Sequence, residues 1–163
     1  MKKNIFMKFA ALFLALSMLC SSTVLAASDV SKSTALETAK KQVPAKSVLL
    51  ESDWDEDDNE WEFEFRTKDK KAHYDVTISG SGSVRKVEME CQNPAKAKKY
   101  KISKSAAKKA VTRKFKGAKI QKVKKATDDG RKVYKITFKT STYKGTAEVN
   151  GKSGKITEWE KIF

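Results

Sequence analysis

The chain has 163 residues, with 35 Lys and Arg against 20 Asp and Glu, a formal charge of +15, and only seven Gly, two Pro, two Cys and one His. So little Gly and Pro excludes a collagen-like or Gly/Pro-rich disordered chain, and two cysteines exclude a disulfide-rich scaffold. One histidine leaves no Cys/His set for a zinc site, and the length allows one ordinary domain or two small ones.

Residues 1–26 read as a secretory signal peptide. Lys2, Lys3 and Lys8 form its positive start, and Phe9 to Leu19 form an apolar run broken only by Ser17. That run is too short for a spanning helix, which needs roughly 20 residues. Val24-Leu25-Ala26 fits small-x-small cleavage. Acylation of Cys20 would want a small residue before it, and Leu19 stands there, so Cys20 leaves with the discarded peptide. The mature chain is expected to be secreted or held in the cell envelope, with no transmembrane span. Cys91 is then its one thiol and makes no internal disulfide. Within Val87-Glu88-Met89-Glu90-Cys91 it reads as a small strand hydrophobe.

The mature chain repeats itself. Val30-Ser31-Lys32-Ser33 recurs 72 positions on as Ile102-Ser103-Lys104-Ser105. A shift of 73 takes Trp61-x-Phe63-x-Phe65 onto Tyr134-x-Ile136-x-Phe138, and a shift of 72 takes Gly82-x-Val84 onto Gly154-x-Ile156 and Val87-Glu88 onto Trp159-Glu160.

Each copy should open with a helix capped by Ser31 or Ser103, whose hydroxyl can accept from a free N–H of the first turn. Ala35, Leu36, Ala39 and Val43 share one face of the first helix; Ala106, Ala107, Ala110, Val111 and Phe115 share one face of the second. Pro44 and Gly117 end them. A short strand follows, around 48–51 and again around 120–124. Turns at 55–59 and at Asp128-Asp129-Gly130 lead onward. Trp61, Phe63 and Phe65 alternate with charge, as do Tyr74, Val76 and Ile78, and then 84–91. The second copy does the same over 134–139, 146–149 and 155–160. The expected fold is α+β: two tandem units, residues 28–92 and 102–163, each an N-terminal helix packed on its own four-stranded antiparallel sheet. A solvated Lys-rich linker, 93–101, should join them.

The order of these pieces resembles the PepSY domain: the Ser-capped helix start, the aromatic strand, the Tyr74-Asp75-Val76-Thr77-Ile78 strand, and the Gly82-x-Val84-x-x-Val87-Glu88 ending. The likeness covers 30–92 and 102–162. The second copy departs at Tyr143-Lys144-Gly145-Thr146, where an aromatic-x-apolar start is expected. The resemblance implies a secreted or membrane-attached, non-catalytic module that restrains or regulates peptidases, with no catalytic residue and no cofactor to carry over. The two-copy layout is also similar to β-lactamase inhibitor protein, which grips an enzyme with a sheet surface.

Three chemistries compete with that reading. A Cys91–His73 pair could sit on neighbouring strands, but nothing announces an orienting group or an oxyanion pocket. Asp53, Asp55, Asp57 and Glu64 stand at positions 1, 3, 5 and 12 of a calcium loop, yet Asp58 occupies the place of its turn glycine. An acidic hairpin tip is the simpler reading, and no metal is expected. Nucleic acid is the reflex partner for a basic chain, but the export signal and the lack of a binding motif argue against it.

The charge is divided unevenly. Residues 27–94 carry 10 basic and 15 acidic side chains, while 95–163 carry 22 and 5. The resemblance implies a secreted or envelope protein of the peptidase class as the partner, bound by one sheet face. The alternative is an anionic cell-wall polymer or lipid, held by the basic second copy. Lys135, Lys139 and Lys155 should share that copy's polar strand face. Trp54, Tyr100 and Tyr143 fall outside the alternating core pattern and are candidate contacts, since exposed aromatics near cations serve as interface anchors. Trp61 and Trp159 are assigned to the core.

Overall fold

The computed structural model describes residues 29–163, so the expected signal peptide lies outside the described residues. Chain order is α1 (Lys32–Lys40), β1 (Val48–Asp55), β2 (Glu60–Arg66), β3 (Ala72–Ser79), β4 (Val84–Cys91), then α2 (Lys104–Lys114), β5 (Lys119–Asp128), β6 (Arg131–Lys139), β7 (Lys144–Asn150) and β8 (Ile156–Ile162).

Both helices start where their serines predict. The Thr34 N–H donates to Ser31 Oγ at 3.3 Å, and the Ala106 N–H donates to Ser103 Oγ at 3.1 Å. Each helix buries small or branched residues against the sheet, Ala35 and Ala39 in α1, Ala107 and Val111 in α2. The residue before each cap is tied to its strands in the same way. Val30 N–H donates to Gly80 O at 2.8 Å, and Ile102 N–H to Gly151 O at 3.1 Å. Trp61 Nε1 donates to Val30 O at 3.2 Å, and Tyr134 Oη donates to Ile102 O at 2.8 Å. Two different aromatic donors thus make one equivalent contact. Gly82 and Gly154 both adopt positive φ, a region that side chains rarely enter, in the turns packed beneath Val30 and Ile102.

The strands do not form two sheets. They form one eight-stranded antiparallel sheet in the order β1-β2-β3-β4-β8-β7-β6-β5. This corrects the expectation of two four-stranded sheets. The reason is edge satisfaction: β4 and β8 each end a four-stranded set and carry unpaired backbone groups, and each covers the other's edge. The seam pairs Val87 with Lys161, Glu88 with Glu160, Met89 with Trp159 and Glu90 with Glu158. Glu88 faces its own repeat equivalent, so a pseudo-twofold axis passes between them, as at a self-complementary dimer contact.

Both helices lie on the same face of this sheet. One core cluster includes Phe63, Phe65, Tyr74, Val76, Val87 and Met89 from the first copy and Ile136, Phe138, Val149 and Trp159 from the second, with the alanines of α1 and α2. The linker is not merely solvated. Ala97 is buried, its carbonyl accepting from Lys132 N–H at 2.7 Å, and Asn150 Nδ2 donates to Ala95 O at 2.6 Å. Near its end, Tyr100 packs on Tyr134 with ring centroids 5.0 Å apart.

Candidate interaction surface

Strand alternation sends every second side chain to the helix-free face. Because the register is continuous across eight strands, those side chains line up in rows. One row runs Glu51, Glu64, Asp75, Glu88, Glu160, Thr146, Thr137, Lys122. The next runs Arg66, His73, Glu90, Glu158, Glu148, Lys135, Lys124. Carboxylates gather at the seam and lysines at the β5 edge. Like charges directly opposite one another are unfavourable, and an imidazole and two lysines stand beside several of them. His73 Nδ1 sits 2.8 Å from Glu64 Oε1, and Lys86 Nζ lies 3.1 Å from Glu88 Oε2. Lys135 Nζ lies 3.4 Å from Glu148 and 3.5 Å from Asp128.

Asp75, Glu158 and Glu160 resist ionisation. Burial, then Glu64 and Glu88, pushes Asp75 up to about 6. Burial, then Glu148 and Glu90, pushes Glu158 up to about 7. Burial and the facing Glu88 raise Glu160 as well. Desolvation disfavours the charged form, and a neighbouring carboxylate adds to it.

The structure scatters the sequence candidates. Lys135 and Lys139 lie on the helix-free face, Lys139 exposed and Lys135 in the acid cage just described. Lys155 is exposed but precedes β8. Trp54 is half-buried on the other face, its ring 5.0 Å from that of Trp61, its partner across β1 and β2. Tyr100 is half-buried, and its hydroxyl donates to Ala126 O at 2.8 Å. Tyr143 is half-buried on the helix side, with its ring 5.3 Å from that of Phe163. The two lysines are therefore grouped and the three aromatics are not. Sequence reasoning missed the carboxylates of the seam. Only the pairing of β4 with β8 brings Glu88 and Glu90 beside Glu158 and Glu160, and no local pattern signals it.

Two competing chemistries meet contrary geometry. His73 pairs with Glu90 across β3 and β4, while Cys91 pairs with Ala72, so alternation turns His73 and Cys91 to opposite faces. The Cys91 thiol is pushed up by burial and by Glu90, away from the reactive thiolate. At the acidic hairpin, Asp55 Oδ1 accepts from the Asp57 and Asp58 N–H groups, while Glu64 is turned to His73. Among the described residues, no set of three or more His, Cys, Asp or Glu side chains is gathered for a metal ion.

The architecture defines a class first: a duplicated helix-on-sheet protein whose two units share a single sheet and leave one face bare. The family model described as "Peptidase propeptide and YPEB domain", PepSY, matches residues 29–88 and 101–160, and the chain belongs to that family. Among solved structures, it is similar to the Bacillus megaterium YpeB C-terminal domain at 20% identity, covering 83% of this chain and 66% of that one, with a TM-score of 0.34. A Clostridium difficile 630 protein assigned to the lipoproteins matches at 16% identity, covering 78% of this chain and 90% of that one, with a TM-score of 0.37. A DUF2874 family protein of Bacteroides uniformis matches at 12% identity over 81% and 90% of the two chains, with a TM-score of 0.31. The chain spans just under two thirds of the Bacillus megaterium domain. Among curated proteins, none matches significantly. No helix among the described residues is long and apolar enough to cross a membrane.

Proposed function

We propose that this protein is an exported, non-enzymatic binding module that restrains a peptidase or another cell-envelope protein by covering it with the helix-free sheet face. The observation that carries the reading is the continuous eight-stranded sheet with both helices on one side. Its bare face is rigid, since every inner strand is hydrogen-bonded on both edges. Binding there needs little ordering of the protein, so less interaction energy is spent on immobilising loops. Patterned charge on such a face supplies specificity and register more than raw affinity. The family's description as a peptidase propeptide domain supports a peptidase as partner, and the chain's own signal-like start supports export.

The test is capture from the secreted and envelope fractions, using the mature chain and two variants. Glu64→Lys with Glu88→Lys changes the bare face, and Lys108→Glu changes an exposed position on α2. We expect a peptidase to co-purify with the parent and the α2 variant and to lose activity in the complex. The bare-face variant should lose at least tenfold in binding. Equal capture by all three, or a captured peptidase that stays fully active, would overturn the proposal.

The lysines at the β5 edge favour a second reading, adhesion to anionic cell-wall polymer. Lys122, Lys124, Lys139 and Lys144 stand close in register there. That reading expects binding to anionic beads that falls steeply with salt, and binding indifferent to salt would remove it.

A further inference from the structure

On the helix-covered face, the C-terminal ends of α1 and α2 stand apart over the seam. They leave an open groove of about 480 Å³ whose lining includes Pro44 after α1, Lys114 and Phe115 of α2, and Tyr143, Trp159 and Lys161. This volume lies within the range of small-ligand sites. The pseudo-symmetry makes the groove's composition informative. Trp159 and Lys161 take the places held in the first copy by Val87 and Met89, and Lys114 takes that of Gln42. The second copy has therefore put an indole and two ammonium groups where the first has only apolar or neutral side chains.

These groups are incompletely satisfied. Lys161 projects from a central strand to the apolar side. Its Nζ lies 4.9 Å from the Trp159 ring centroid, 5.3 Å from Tyr143 and 6.0 Å from Phe115. Burial and the like charge of Lys114 hold its ammonium below the usual lysine range. Lys114 Nζ lies 5.8 Å from the same Trp159 ring. Among the described residues neither lysine makes a salt bridge; each meets only π faces. Trp159 is 4% exposed, and its indole N–H has no hydrogen-bond acceptor. Buried donors without partners are uncommon, and each costs free energy. Lys114 has a second role, since a cation in the last turn of α2 complements the helix dipole. Lys161 has no such role.

We propose that this groove binds a carboxylate carried on an apolar body, such as the free C-terminal end of a peptide. The carboxylate would lie between the two ammonium groups beside Trp159, and the apolar side chain next to it would cover the half-exposed ring of Tyr143. A glycerol-phosphate polymer supplies charge but nothing to cover the Tyr143 ring. The site is on the opposite face from the surface proposed above and does not depend on it.

The test uses N-acetyl-leucyl-phenylalanine with a free carboxylate, its carboxamide, and inorganic phosphate, each titrated into the mature protein. The readout is the assigned indole resonances of Trp54, Trp61 and Trp159. We expect the free acid to shift the Trp159 signal saturably while the other two stay in place. The carboxamide should bind at least tenfold more weakly. Lys161→Met, which restores the first copy's residue, should lose at least tenfold in affinity, and Lys114→Gln on exposed α2 serves if that variant does not fold. An unmoved Trp159 signal, equal binding of acid and amide, or undiminished binding by the folded variant would overturn the proposal. So would phosphate binding as tightly as the acid, which would make the site a general anion site.

Discussion

Glu158 shows how one carboxyl reports its surroundings. It faces Glu90 on one side and Glu148 on the other, and its half-buried carboxyl is raised from an ordinary 4.5 to about 7. A carboxyl raised on folding binds its proton more tightly in the native chain than in the unfolded one. Between the two values the native state holds the extra proton, so the contribution of this group to stability is fully present below about pH 4.5 and is lost as pH rises to about 7. Asp75, raised to about 6, acts in the same direction. Glu158→Gln should therefore flatten the pH dependence between 4.5 and 7 and stabilise the protein at pH 8. The gain should be on the order of 1 kcal/mol, less than for a fully buried group because part of the side chain stays in water. Urea unfolding at pH 5 and pH 8 measures it, and an unchanged difference between the two would contradict the assignment.

At the level of elements, the departure at Gly145 has a packing cause. Register places Gly145 opposite Phe138, where the first copy sets Tyr74 opposite Phe65. A Cβ at Gly145 would lie 2.5 Å from Phe138 Cζ and 2.9 Å from Glu160 O. Phe138 in turn stacks on Phe115 at 4.6 Å, and the first copy has Val43 in the place of Phe115. The aromatic bulk has moved from strand to helix end while each copy keeps a filled layer. Gly145→Ala should cost about 1–3 kcal/mol, the range of an overpacked core site, seen as a lower urea midpoint with an unchanged slope. A variant as stable as the parent would show that the layer can give. The helix starts were legible from Ser31 and Ser103 because capping is a local hydrogen bond. The turn at Asp129 and Gly130, both at positive φ, was legible because that backbone favours such residues.

For the whole molecule, the seam governs what either half can do alone. Residues 28–92 produced by themselves would expose the β4 edge that β8 now covers. That edge already pairs about a pseudo-twofold axis, so a second copy of the half can replace β8 with Glu88 facing Glu88. Sedimentation at pH 5 and at pH 8 should show a dimer or larger species. A folded monomer at both pH values would show that the seam is not needed for its stability.

Duplication, helix and strand types, caps, turns and the apolar face of each strand follow from short-range chemistry. Periodicity, capping and turn backbone act over a few residues and leave their marks on neighbouring letters. The joining of two sheets into one, the carboxylates massed at the junction, the docked linker and the groove between the helix ends depend on which strand edge meets which. β4 and β8 lie some seventy positions apart in the chain. Their pairing satisfies backbone groups that every strand carries alike, so no side-chain letter announces it.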